Sequence, residues 1–256
     1  MSVLTATSVL DSQIIVDLSF LAIDRNPPAL KETLLLSKSE QTFSGLLADA
    51  LTIYPTIRIG DFSDQESGIV LLEYKGKDYS RKTTNGVKKS RNYHDLSVVN
   101  QFGEIEVIIE NKFWYHFDGT KGTRNPKPEK GIKEQLTDDI FKIRRTLAGQ
   151  SVLRKGFVLL NIVTPGNPEL IPSSYQDDHR KVWNRTNHNI EQYRKEGLEG
   201  FQSVISTFSN DLKDIALRSA PFGTSEGFID FICAEVKLNS GDGRKKYILN
   251  TLESIR

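Results

Sequence analysis

The sequence predicts an α/β fold in which a mixed central β-sheet is flanked by helices. Three observations carry that prediction. Short apolar runs at 69–74, 96–99 and 105–113 have strand-like patterning and are separated by turn residues. Ile132, Leu136, Ile140, Ile143 and Leu147 then form one apolar stripe at helical spacing. Phe157 to Val163 follows as a nearly continuous apolar run, the pattern of a strand covered on both faces.

Taken in order, Phe43, Leu46, Leu47, Ala50 and Leu51 predict an N-terminal helix that Tyr54-Pro55 ends, with Glu40 and Asp49 on its polar edge. Asn85-Gly86 marks a turn, and Asn100 to Gly103 is a loop of hairpin length that joins the strands at 96–99 and 105–113. Pro128 precedes the striped helix, outside whose stripe lie Gln135, Asp138, Asp139 and Lys142, and Gly149 is its expected stop. Pro165-Gly166 closes the buried strand. From Ser173 the expected order is a helix, a second helix over Phe201 to Leu217, a strand over Phe228 to Leu238 and a last helix near Arg244 to Ile255. We expect one domain over 1–256, with a core at about 40–163, an N-terminal helical segment and a C-terminal α/β extension.

Composition narrows the functional classes. Hydrophobic residues at 38% and charged residues at 26% fit a globular chain and no disordered or collagen-like class. The longest apolar run is short and contains Asn161, whereas a membrane span needs roughly 20 residues. Cys233 is the only cysteine, which excludes an intrachain disulfide and a thiolate zinc cluster. Met1 to Leu10 also lacks a basic start, so a cytoplasmic location is expected. With 34 basic and 33 acidic residues, attraction to a polyanion must come from local patches.

The chemistry concentrates in two strands, His94-Asp95-Leu96-Ser97-Val98-Val99 and Glu104 to Lys112. Paired antiparallel across the loop, Val99 faces Glu104 and Asp95 faces Ile108, so Asp95 lies diagonally across from Glu110 on one sheet face. Lys112 shares that face by the two-residue period of a strand. Backbones about 7–8 Å apart let the two carboxylates hold one metal between them. Mg²⁺ prefers hard oxygen ligands and keeps several waters, and such an ion lowers the pKa of a bound water and neutralises charge on a phosphorane. Asp95 and Glu110 would be the ligands, and Lys112 would position the water or stabilise the growing charge.

An acidic residue on one strand, a hairpin, an apolar strand ending Glu110-Asn111-Lys112, a helix and a further apolar strand resemble the PD-(D/E)xK nuclease superfamily over roughly Glu40 to Val163. The resemblance implies a restriction-endonuclease-like core and a metal-dependent nuclease using Mg²⁺, with Mn²⁺ as the alternative. Asp95 matches the first acidic residue of the motif, Glu110 the second and Lys112 the lysine, while His94 stands where the motif has proline. Glu40 matches the acidic residue often found on the family's first helix. Gln135 matches the glutamine of the RecB-like branch, although Asp139 replaces the tyrosine that follows four residues later. The implied substrate is duplex DNA cut by an endonuclease of restriction or defence type, and cutting both strands implies a homodimer. The other reading is a catalytically inactive module with this fold that binds nucleic acid or a partner.

Two further Glu-x-Lys triplets compete. Glu235-Val236-Lys237 follows Asp230 on the same strand, too far away and on the opposite face. Glu73-Tyr74-Lys75 follows Asp61 and Asp64 but has no striped helix after it. Glu104 and Glu106, nearer the hairpin end, are expected to be solvated. Around the Asn85 turn, Lys82, Lys88, Lys89 and Arg91 form the basic hairpin expected to lie along a phosphate backbone. Trp114, Tyr115, His116 and Phe117, near Lys121 and Arg124, are expected either to stack on bases or to pack beneath the loop.

Overall fold

A computed structural model describes residues 8–27, 31, 40–53, 57–58, 69–75, 79–83, 86–90, 93–99, 104–119, 128–147, 154–166, 171–222 and 227–238. Its centre is a six-stranded sheet in the order β3 (Ile69–Lys75), β6 (Tyr93–Val99), β7 (Ile105–Tyr115), β8 (Lys155–Thr164), β10 (Gly227–Val236) and β9 (Leu212–Phe222). Only the β7–β8 pair is parallel, so the sheet is mixed as expected. Two short sheets stand apart, one pairing β1 (Ser8–Val9) with β2 (Ile57–Arg58), the other β4 (Tyr79–Thr83) with β5 (Gly86–Ser90).

Period-two alternation divides the core between the two sheet faces. Val107, Ile109, Phe157 and Leu159 pack with α1 (Ser12–Asp24) and α2 (Glu40–Ile53), whereas Ile108, Val158, Leu160 and Ile162 pack with α3 (Pro128–Leu147) and α5 (Ile190–Ser206). Helices therefore cover both faces. The α3 stripe Ile132, Leu136, Ile140, Ile143 and Leu147 is buried throughout, and Pro128 opens the helix where a missing N–H costs nothing. Helix α3 is the crossover between the parallel strands β7 and β8, which places its polar flank above the Glu-x-Lys end of β7.

Helix α1 was not among the elements read individually from the sequence. Asp11 is its N-cap and accepts a hydrogen bond from the Ile14 N–H at 2.8 Å. The helix expected over Phe201 to Leu217 is a correction. Phe201, Val204, Ile205, Phe208 and Leu212 do keep helical spacing and are buried, but α5 stops at Ser206. From Leu212 the chain is a strand: Leu212 packs on the α3 and α5 side, Ala216 and Ala220 pack on the α1 side, and Asp214 at φ 49° lies at the irregularity in the β9–β10 register between them. Strands β9 and β10 carry the sheet well past residue 163. Helix α4 (Ser173–Arg185) matches the expected first helix, and the helix expected near Arg244 to Ile255 lies outside the described residues.

Helix α5 approaches the short 3-10 turn His116–Gly119 more closely than any side chain allows. A Cβ on Gly200 would stand 2.0 Å from the Gly119 carbonyl oxygen, and one on Gly197 would stand 2.2 Å from His116 Nδ1. The same helix is pinned to β10 by Arg194, whose Nε and Nη2 donate to the fully buried Asp230 carboxylate at 3.0 and 2.5 Å.

Candidate active site

The site forms where β7 outruns β6. The β6–β7 ladder runs Val99↔Ile105, Val98↔Val107, Ser97↔Ile108 and Leu96↔Ile109, with a bulge between Val98 and Val99. This corrects the predicted register, in which Asp95 faces Ile108. Glu106 is the residue without a counterpart, and beyond it the pairing has moved by two positions from that prediction. A slip of one would have turned Asp95 away, whereas a slip of two keeps every side chain on its face. Glu106 is also buried rather than solvated, while Glu104 is exposed and pairs with Arg154 at 3.1 Å.

Past Leu96 the ladder stops and side chains take over. Asp95 Oδ2 accepts the Asn111 N–H at 2.8 Å, and Glu40 Oε1 accepts the Phe113 N–H at 3.2 Å. Two carboxylates thus cover backbone donors that no strand reaches. Glu40, at the first position of α2, is thereby brought into the site as the resemblance implied. Asn111 fixes the strand from the opposite sheet face: its Nδ2 donates to Ser44 Oγ at 3.0 Å, and its Oδ1 accepts from Asn161 Nδ2. Asn161 Nδ2 also donates to the Lys112 carbonyl at 3.0 Å, so the one polar residue in the apolar run of β8 serves as a brace beneath the site.

Lys112 and Glu110 lie on the α3 side of β7. Lys112 Nζ is 3.4 Å from Asp95 Oδ2, 3.5 Å from Asp139 Oδ2 and 3.0 Å from the Asn111 carbonyl oxygen. Burial works against its charge, but Asp139, Asp95, Glu40 and Glu110 outweigh that penalty and raise its pKa. Glu110 is sealed from solvent at 0% exposure and both its oxygens are taken. His94 Nδ1 lies 2.6 Å from Oε1, and Lys142 Nζ donates to Oε2 at 2.5 Å. Burial pushes the Glu110 carboxyl up, yet the His94 hydrogen bond and the charges of Lys142 and Lys112 bring it below the usual value. Glu110 is therefore ionised at neutral pH, and the His94 Nδ1 position carries the donated proton. His94 Nε2 in turn lies 2.9 Å from Thr146 Oγ1 on α3.

Asp95 behaves oppositely: burial and the nearby Glu110 charge raise its pKa. Asp139 is raised further, to about 7, by burial against the partial compensation of Lys112. Its Oδ2 is buried without a hydrogen bond.

Sequence reasoning left Asp139 and Lys142 on the solvated side of α3. Both instead turn toward β7, and Asp139 is buried at 6% exposure. With Thr146 they fall at i, i+3 and i+7, a second helical row beside the apolar stripe, and that spacing is the signal that would have found them. Gln135, one turn before Asp139, is exposed and stands apart from this cluster. His94, noted only as a departure from the motif, is fully buried and holds Glu110.

The competing triplets are engaged elsewhere. Glu73 is exposed on the edge strand β3 and accepts from Gln41 at 2.7 Å, while Glu235 pairs with Lys213 at 3.0 Å. Of the basic hairpin, Lys82 lies on β4 and Lys88 and Lys89 on β5, with Arg81 paired to Lys88 and Ser80 to Lys89. Gly86 is already the first residue of β5, paired with Thr83, and Asn85 and Arg91 lie outside the described residues, as do Lys121 and Arg124. Tyr115, His116 and Phe117 are buried, so they pack and offer no face to a base.

The donor set suits a hard divalent cation: Asp95, Glu110 and Asp139 supply carboxylate oxygens, and one of them, Asp139 Oδ2, is buried without a hydrogen bond. Among the described residues no three acidic, histidine or cysteine side chains are gathered closely enough to hold a metal ion, and the Lys142 ammonium occupies Glu110 Oε2. Comparisons with family models, with curated proteins and with solved structures find no match to this chain. No helix among the described residues is long and apolar enough to cross a membrane.

Proposed function

We propose that this chain is a Mg²⁺-dependent nuclease that hydrolyses phosphodiester bonds in DNA, with Asp95 and Glu110 as metal ligands and Lys112 as the charge-stabilising group. The observation that carries the reading is the convergence on one sheet face of Lys112 with Asp95 at 3.4 Å, Asp139 at 3.5 Å and the ionised Glu110, at a strand end where the backbone ladder has stopped. A bound Mg²⁺ supplies an activated water and a Lewis acid for the phosphoryl oxygens. Lys112, held protonated by four carboxylates and with a side chain 14% exposed, would meet the negative charge that develops on the phosphate. Glu40 and Asn161 act indirectly, by fixing the strand from which Glu110 and Lys112 project.

The proposal extends to an endonuclease of restriction or defence type, working in the reducing cytoplasm as a homodimer that brings two sites to the two strands of a duplex. Plasmid incubated with the purified protein and Mg²⁺ should be nicked or linearised, with linear DNA, single-stranded DNA and RNA as parallel substrates. Asp95→Asn and Glu110→Gln should each abolish both cleavage and Mn²⁺ binding. Cleavage that persists in both variants, or that needs no divalent cation, would sink the reading.

One observation favours a second reading, a binding module with this fold that has lost catalysis. Glu110 is fully buried and its oxygens are satisfied by His94 and Lys142, a closed arrangement that stands without a metal. Absence of divalent-cation binding together with retained affinity for DNA would select it.

A further inference from the structure

Resting on the nuclease reading, we infer that Lys142 is a built-in placeholder for the divalent cation, holding Glu110 Oε2 until the ion displaces it. Three features of the contact point to a displaceable group rather than a fixed brace. The two groups on Glu110 differ in freedom: His94 is fully buried and tied at its far nitrogen to Thr146, whereas the Lys142 side chain is 16% exposed. Its stem of four flexible carbons lets the ammonium swing outward into water while α3 stays in place. The oxygens also leave a place for a further cation, since Asp139 Oδ2 is buried without a hydrogen bond and shares the Lys112 ammonium, 3.5 Å away, with Asp95.

The chemistry of exchange follows. A buried carboxylate without a cation is costly, so a chain that must fold before it meets its metal benefits from an internal counter-charge on the ligand. Lys142 supplies that charge in the metal-free protein and keeps Glu110 ionised and oriented. A divalent ion offers twice the charge and accepts oxygen ligands directly, so it takes Oε2 and releases the ammonium. The released Lys142, on the flank of α3 above the site, becomes a free cation at the edge where substrate phosphates must enter. Cation affinity is thereby set below that of an unobstructed pair of carboxylates, which makes the site responsive to the ambient Mg²⁺ concentration.

Lysine labelling of the wild-type protein with an amine-reactive acylating reagent, read by peptide mass spectrometry, tests this directly. Lys142 should be protected without metal and become reactive at saturating Mg²⁺, while the exposed Lys195 reacts equally in both states. Glu110→Gln should abolish the metal response. By titration calorimetry, Lys142→Met should bind Mn²⁺ about tenfold more tightly than wild type, the equivalent of one charge-assisted hydrogen bond removed from competition. Lys142→Arg should show no such gain. Mn²⁺ binding to wild type with Lys142 still protected, or with no gain in Lys142→Met, would overturn the placeholder and leave the nuclease reading standing. No Mn²⁺ binding by wild type or by Lys142→Met would remove both together.

Discussion

Replacing Asp139 by Asn should stabilise the protein, and by an amount that depends on pH. Burial lifts the Asp139 carboxyl from 3.8 to about 7, so the folded state holds its proton over a range where the unfolded chain has released it. For an acid raised in this way, stability is fully present below the unfolded pKa and is lost as pH rises through the folded one. The window runs from about pH 4 to about pH 7. At about 1.4 kcal/mol per pH unit, the cost above that window is about 4 kcal/mol at most. Asn has the shape of the protonated acid and carries no charge, so it avoids this cost. The attraction of Lys112, 3.5 Å away, is already part of that net shift, and relaxation of the site around the ionised carboxylate is expected to return about half of the cost. Urea unfolding of both proteins at intervals between pH 4.5 and 8.5 (about the window above and its margins) reads the difference directly. The variant should match wild type at the acid end and exceed it by about 2 kcal/mol at the alkaline end. A difference that stays constant with pH, or an Asn variant that weakens as pH rises, would refute the account of the buried carboxyl.

In the proposed mechanism the role of Lys112 separates from those of the ligands. Lys112→Ala should lower cleavage by roughly 10² or more while Mn²⁺ binding by calorimetry stays near wild type or tightens, and normal cleavage by this variant beside dead Lys75→Ala or Lys237→Ala would mean that another triplet is the active one. His94→Ala leaves Glu110 Oε1 buried without its donor at 2.6 Å and should cost about 2–4 kcal/mol in urea unfolding, and a loss below 0.5 kcal/mol, about the level of a surface change, would show that His94 does not hold the carboxylate. Gly200→Ala forces a methyl to within 2.0 Å of the Gly119 carbonyl and should lower stability by about 3 kcal/mol or prevent folding, an effect that thermal melting would detect and that an unchanged melt would exclude.

Much of the fold was legible because its periods are clean. The α3 stripe and the alternation along β7 are both long, and each buries on the face its period dictates. Helix α5 and strand β9 were misread for a reason internal to the chain, since Phe201 to Leu212 keeps helical spacing across a boundary that tertiary packing sets. The shared face of Glu110 and Lys112 follows from period two alone, but the register to Asp95 depends on a bulge at Glu106, and a bulge leaves no mark beside Val107-Ile108-Ile109, a run apolar on both faces. Asp139, Lys142 and His94 stayed hidden because a charged residue bordering an apolar stripe reads as solvated until its partner across the interface is known. Lys142 and His94 meet Glu110 across 32 and 16 positions and Asp139 meets Lys112 across 27, contacts created by the β7–α3 crossover and, for His94, by the pairing of β6 with β7.

The edge of β7 beyond Leu96 has a consequence for how the protein keeps to itself. An uncovered run of strand donors invites the edge of another chain, and here Asp95 and Glu40 close it with carboxylates instead of a neighbouring strand. A foreign strand that tried to dock would have to expel two acidic groups and match their bonds to the Asn111 and Phe113 amides. Asp95, the proposed metal ligand, and Glu40, which fixes the strand, thus also guard a sheet edge against aggregation. Variants that neutralise both should lose solubility as well as the proposed activity.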